Sequence, residues 1–163
     1  MTTIRQFTAQ DWQAARDIRL QALKTNPTVF SFTYEKALTL TEQDWKQRLS
    51  DPNTGIFGLI DDTGKCIGMT GVAIRSENPQ DANLWGSWIH PDHRGKGYSD
   101  LLYKARIDWA RQKGLKRITV SHRESNKASF RANQRHGFTF VRQEDTEWND
   151  GVIEPELFYE LVL

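Results

Sequence analysis

The run Ile89-His90-Pro91-Asp92-His93-Arg94-Gly95-Lys96-Gly97-Tyr98-Ser99 sets two glycines and two cations between a strand-like and a helical segment. Glycines let a backbone bend until successive N–H groups converge, and the first turn of a helix leaves four donors unpaired. Donors gathered in front of a helix dipole bind phosphate groups, and Arg94 and Lys96 add charge at the same place. The same residues also fit an ordinary glycine-rich turn. The loop lacks the spacer and the Lys-Ser/Thr pair of a P-loop, and no acidic residue follows in the register of a dinucleotide fingerprint.

The elements around this loop can be read from periodicity. Thr3–Thr8 reads as a strand. Trp12, Ala15, Ile18, Leu20, Ala22 and Leu23 fall near helical spacing in a helix that Asn26-Pro27 ends. Val29–Tyr34 is aromatic and aperiodic, a loop that covers something. Thr41 and Asp44 open a helix through Trp45, Arg48 and Leu49. Gly55–Ile60 and Cys66–Ile74 flank the turn Asp61-Asp62-Thr63-Gly64, and Asn83–His90 is the third strand of this meander.

Gly97–Lys113 is helical, with Leu101, Leu102, Ala105, Trp109 and Ala110 on its apolar face. Arg117–Ser121 is a strand, Asn126–Arg135 a helix, and Phe138–Arg142 and Leu157–Leu163 are closing strands. The expectation is a single α/β domain over residues 1–163, with a ligand where the meander gives way to crossover units.

Composition narrows the function. The 163 residues carry 22 basic and 21 acidic side chains, a net charge of +1 with no block of one sign, which gives no electrostatic case for nucleic acid. No apolar run approaches a membrane span, and Met1–Gln10 lacks the form of a signal peptide, so a soluble cytoplasmic protein is expected. Cys66 is the only cysteine and reads as a buried small residue. His90 and His93 belong to no ligand set with metal spacing, so no metal is expected.

The loop resembles the acetyl-CoA loop of the GNAT N-acetyltransferases, Gln/Arg-x-x-Gly-x-Gly/Ala, with Arg94, Gly97 and Ser99 in the fixed positions; Ser99 departs from Gly/Ala but is small. Asn126, Ser129, Gly137 and Phe138 match a second family motif at the expected spacing, and the element order agrees from end to end. The resemblance implies a mixed sheet of about seven strands with flanking helices, acetyl-CoA as cosubstrate, and an amine acceptor. It further implies that backbone amides from Arg94 through Gly95, Lys96, Gly97 and Tyr98 to Ser99 cradle the pyrophosphate. Trp88, Ile89 and His90 would line the pantetheine arm, with the Ile89 amide polarising the thioester carbonyl. Asn126, with Ser129, would hold the arm from the other side. A homodimer is also in keeping with the resemblance.

The expected catalytic side chains depart from the family. Where many members carry a glutamate base, six residues before Ile89, this chain has Asn83; where many carry a tyrosine acid, it has Asn133, which donates a hydrogen bond but no proton. A thiolate leaves readily, since free thiols have a pKa of about 8.5, so alignment can carry turnover. His122 is a candidate base, set against a histidine satisfied at a strand end. Tyr34, Tyr98 and Tyr103 are alternative acids, with Tyr103 expected to face away if Leu102 is core. Phe30, Tyr34 and Glu35 are the expected acceptor-pocket residues. The favoured acceptor is a small-molecule amine; a protein lysine or N-terminus, or a non-catalytic acetyl-CoA-binding module, are the alternatives.

Overall fold

Side chains one helical turn apart make the buried stripe of the first long helix, α1 (Trp12–Thr25): Ala15, Ile18, Arg19, Ala22 and Leu23. In the computed structural model, which describes residues 1–163, this helix lies with α2 (Tyr34–Leu38) and α3 (Glu42–Ser50) on one face of a seven-stranded sheet. The strands are β1 (Thr3–Gln6), β2 (Thr54–Ile60), β3 (Cys66–Ile74), β4 (Asp81–Ile89), β5 (Arg117–Arg123), β6 (Thr139–Glu147) and β7 (Ile153–Val162), in the order β1-β2-β3-β4-β5-β7-β6. Helices α4 (Ser99–Gln112) and α5 (Lys127–Arg135) cover the other face. The expected mixed sheet with flanking helices is therefore present. No helix is long and apolar enough to cross a membrane.

Alternation along the strands divides the core in two. Ile56, Met69 and Trp88 pack against α1, whereas Phe57, Val72, Leu84 and Ile118 pack beneath α4 with Trp109 and Ala110. All neighbours in the sheet are antiparallel except β4 and β5, which run parallel and pair only at Asp81↔Arg117, Ala82↔Ile118 and Asn83↔Thr119. Beyond Asn83 the two strands part.

A bulge lies just past that point. Gly86 and Ser87 together oppose the single residue Thr70, and Thr70 Oγ1 and Ser87 Oγ hydrogen-bond at 2.7 Å. Gly86 has φ +69°, and a Cβ there would come within 2.9 Å of the Arg19 guanidinium.

Several element boundaries differ from expectation. Tyr34 is not the end of a loop but the first residue of α2, capped by Thr33, whose hydroxyl accepts from the Lys36 N–H. The fourth strand starts at Asp81 and ends at Ile89. The last two strands are longer than alternation suggests, because their Thr146–Glu154 and Glu147–Ile153 pairs extend a hairpin of mostly polar residues. A Gly86→Ala variant should lose about 1–3 kcal/mol of stability through left-handed backbone strain and displacement of Arg19, read as a lower urea midpoint.

Candidate active site

Where β4 and β5 part, a cavity of about 400 Å³ opens through the sheet and is lined from both faces. Neighbouring residues of β5 point to opposite sides of it. His122 stacks on Tyr159 at 5.3 Å and meets Phe130 of α5 edge-on, so it belongs to the α4/α5 side. Ser121 and Arg123 face the α1 side, where they bond Glu156 and the Thr28 carbonyl.

On the α4/α5 side, the loop after β4 has the conformation its glycines suggest. Gly95 and Gly97 have φ +77° and +80°, and a Cβ on either would meet nothing within 4 Å. The N–H groups of Gly95, Lys96, Gly97, Tyr98 and Ser99 donate to no backbone acceptor, just where α4 begins at Ser99. Arg94 is not free to meet a ligand through its Nε, which donates to the Ile89 carbonyl at 2.7 Å; its Nη2 reaches Asn26 Oδ1. Trp88 turns its side chain into the α1 core, with Nε1 on the same Asn26 oxygen at 2.8 Å. The His90 N–H bonds the Ile67 carbonyl on β3, so by alternation the Ile89 N–H points to the other side, where β5 has moved away. The His90 imidazole accepts from the Asp92 N–H. Asn126 caps α5 by accepting from the Ser129 N–H at 3.1 Å, and both residues line the cavity. Neither the loop residues Arg94–Ser99 nor Trp88, Ile89 and His90 are among those that line this cavity.

Deeper on this side, Asn133 is 1 % exposed and its Oδ1 accepts from the Tyr103 hydroxyl at 2.6 Å. That bond leaves the Asn133 Nδ2 buried in the cavity wall with no protein partner. The position of Tyr103 corrects the expectation that it faces away: Leu102 and Tyr103 are both buried, because the stripe of α4 is wide enough to hold neighbours. Burial raises the Tyr103 pKa, so the phenol keeps its proton at neutral pH. Arg106 lies 4.8 Å from the Tyr103 ring centroid and donates from Nε to the Leu102 carbonyl. Burial pushes its pKa down to about 10, which leaves it charged.

On the α1 side, the β6–β7 hairpin closes over the segment after α1. Asn149 Nδ2 donates to the Phe30 carbonyl at 2.6 Å, and Arg123 ties Asp150 and Glu154 to the Thr28 carbonyl. Arg19, Phe30, Trp148 and Glu156 line the cavity here. Tyr34 and Glu35 do not: they sit in the first turn of α2, where Tyr34 packs on the α1 core and Glu35 is exposed. Glu156 accepts from Ser121 Oγ at 2.5 Å and from Thr146 Oγ1 at 3.1 Å, with no cation paired to it.

Residues 12–138 match the acetyltransferase (GNAT) family. The chain belongs to the GNAT acetyltransferases. It is thus an acetyl-CoA-dependent acetyltransferase with a mixed seven-stranded sheet. Similar solved structures agree in fold. An acetyltransferase from Salmonella typhimurium solved with acetyl-CoA is 22% identical, covers 100% of this chain and 94% of its own, and has a TM-score of 0.81. A phosphinothricin acetyltransferase from Sinorhizobium meliloti, also with acetyl-CoA, is 16% identical with coverages of 99% and 88% and a TM-score of 0.81. A ribosomal-protein-alanine N-acetyltransferase from Brucella melitensis is 18% identical with coverages of 98% and 99% and a TM-score of 0.80. No curated protein sequence matches the chain.

The structure brings His122 into this GNAT cavity in a defined form. Its Nδ1 lies 2.7 Å from the Arg123 carbonyl, which can only accept, so Nδ1 carries the hydrogen and Nε2 is a buried lone pair without a partner. Burial lowers its pKa below 6.5, against the opposing pull of the Arg123 carbonyl. The unfolded chain therefore binds a proton that the folded chain resists. The stability held above pH 6.5 should fall as pH drops through that ordinary value towards the depressed one. In a His122→Phe variant, which keeps an aromatic ring on Tyr159, the loss of stability between pH 7.5 and 5.5 should be smaller than in the wild type, measured by urea titration at each pH.

Proposed function

We propose that the chain transfers the acetyl group of acetyl-CoA directly to the primary amine of a small molecule. The observation that carries this reading is a cavity open through the parted strands and roofed on its α1 side, together with a loop of unspent N–H groups after β4. The free N–H groups and open glycines at Gly95–Ser99 suit the pyrophosphate, with Lys96 adding charge. The spare Nδ2 of Asn126 and the Ser129 side chain suit the pantetheine arm. Acetyl-CoA would supply an acetyl group on an activated thioester, leaving the protein to align an amine with it.

The remaining roles follow from position. The Ile89 N–H, unspent on β3, would polarise the thioester carbonyl as a donor fixed before charge develops. The Asn133 Nδ2, oriented by the Tyr103 hydroxyl behind it, would donate a hydrogen bond to the departing sulfur, and the Arg106 charge would favour the thiolate. The proton of the incoming ammonium needs an acceptor on the α1 side. Glu156 is there and unpaired, whereas His122 faces the α4/α5 side; Glu156 thus replaces His122 as the proposed base. Phe30 remains an acceptor-pocket residue, Tyr34 acts only through the packing of α2, and Glu35 has no part in the pocket.

The roof supports a small acceptor over a protein tail. Asn149 and Arg123 fasten the hairpin to the Thr28–Phe30 segment and close the face that a peptide would have to cross. The exposed Phe140, Val141, Val152 and Ile153 on the β6–β7 hairpin are the surface a second copy would cover in the expected homodimer.

Thiol release from acetyl-CoA across a panel of amines and acceptor peptides tests the reading. Small amines should drive release and peptides should not, and a folded Gly97→Trp variant should lose acetyl-CoA binding by calorimetry. Cofactor binding with no acceptor-dependent release would reduce the protein to a binding module. Glu156→Gln should lower kcat about 10²–10⁴-fold, the usual contribution of a general base, with acetyl-CoA affinity retained; an unchanged rate would remove Glu156 from the mechanism.

A further inference from the structure

Arg19 occupies a stripe position of α1 between Ile18 and Ala22, where the other buried residues are apolar. It is 8% exposed and its Nη1 is buried with no hydrogen-bond partner. Rings of Phe30, Trp85 and Phe32 stand 5.1, 5.3 and 5.9 Å from its guanidinium carbon. Aromatic faces stabilise the charge but offer no conventional acceptor for its five N–H groups. The one charged group that bears on it is another cation, Arg48, which lies 5.5 Å from the far partner Phe32. Burial and Arg48 push the Arg19 pKa down to about 10, so the side chain remains a cation at neutral pH.

A buried cation with donors unspent is costly unless an anion completes it. Arg19 lines the cavity on the same side as Glu156, an anion without a cation. One unpaired positive group and one unpaired negative group in one pocket are the inverse of a zwitterion.

We infer that the acceptor is an amino acid, its carboxylate held by Arg19 while its ammonium group meets Glu156. This rests on the acetyl-transfer reading above and narrows it from amines in general to amines that carry a carboxylate. The aromatic rings hold the guanidinium in place and keep water from it, so that its forked N–H groups meet the carboxylate in a dry site. Gly86 belongs to the same device, since any side chain there would meet the Arg19 Nη1.

The test compares the twenty L-amino acids with their carboxamides as acceptors for the intact chain saturated with acetyl-CoA. The best amino acid should exceed its carboxamide by about 100-fold or more in kcat/KM, as expected when a buried charged group is left unpaired. Arg19→Met should collapse that ratio below about ten, and Arg19→Lys should retain part of it. Equal rates for acid and carboxamide in the wild type, or an unchanged ratio in Arg19→Met, would overturn the proposal.

A binding measurement separates it from the transfer reading. Intrinsic tryptophan fluorescence, to which Trp85 beside Arg19 contributes, should respond to N-acetyl-amino acids and far less to N-acetyl-amino amides. If no amine turns over but this preference is seen, acetyl transfer falls and the anion site stands. Turnover without any preference for acids has the opposite meaning. Neither turnover nor preferential binding overturns both.

Discussion

Parallel strands β4 and β5 share three residue pairs and then separate, and almost every feature of the site follows from that separation. A continuous sheet would spend the N–H groups of both strands on each other. Here the parting leaves the Ile89 N–H facing an opening, and it lets side chains from both faces of the sheet reach one cavity. The bulge at Gly86–Ser87 bends β4 just past its last pair with β5, and the Thr70–Ser87 hydrogen bond holds the bend in register with β3. A sheet that keeps twisting and bulging at this point costs ladder bonds, and a cosubstrate arm running along the edge of β4 can replace them.

Charge inside the cavity is distributed in the same two-sided way. Towards α4, Arg106 carries no carboxylate partner and stands over Tyr103; towards α1, Arg19 likewise has none, and Glu156 has no cation. Ion pairs are formed elsewhere where they hold structure, as between Arg123 and the Asp150–Glu154 hairpin. The contrast is physical. Paired charges of Arg123 fasten the roof, whereas the unpaired ones face the space that substrates would enter.

The setting of Asn133 is also decided by packing. Asn133 alone offers an amide whose two ends are interchangeable. The Tyr103 hydroxyl donates to Oδ1, and Nδ2 is the end left towards the cavity. A tyrosine from α4 thus stands behind the amide in the cavity wall.

Much of this was legible in the residues. The loop from Arg94 to Ser99 and the meander could be read from local patterns, because glycine conformation and strand alternation are decided within a few residues, and the family from the resemblance of two short motifs. The two buried arginines left a local trace as well: Arg19 and Arg106 interrupt apolar stripes on α1 and α4, a mismatch between period and polarity that marks a charge directed inward. Three things were beyond the sequence. Tyr103 meets Asn133 across thirty residues, Glu156 reaches the cavity through the register of β7 on β5, and His122 and Ser121 fall on opposite sides of the sheet. Each depends on which elements pack together, and only the tertiary structure decides that, because contact between distant segments is set by the closing of the whole core and not by any local preference.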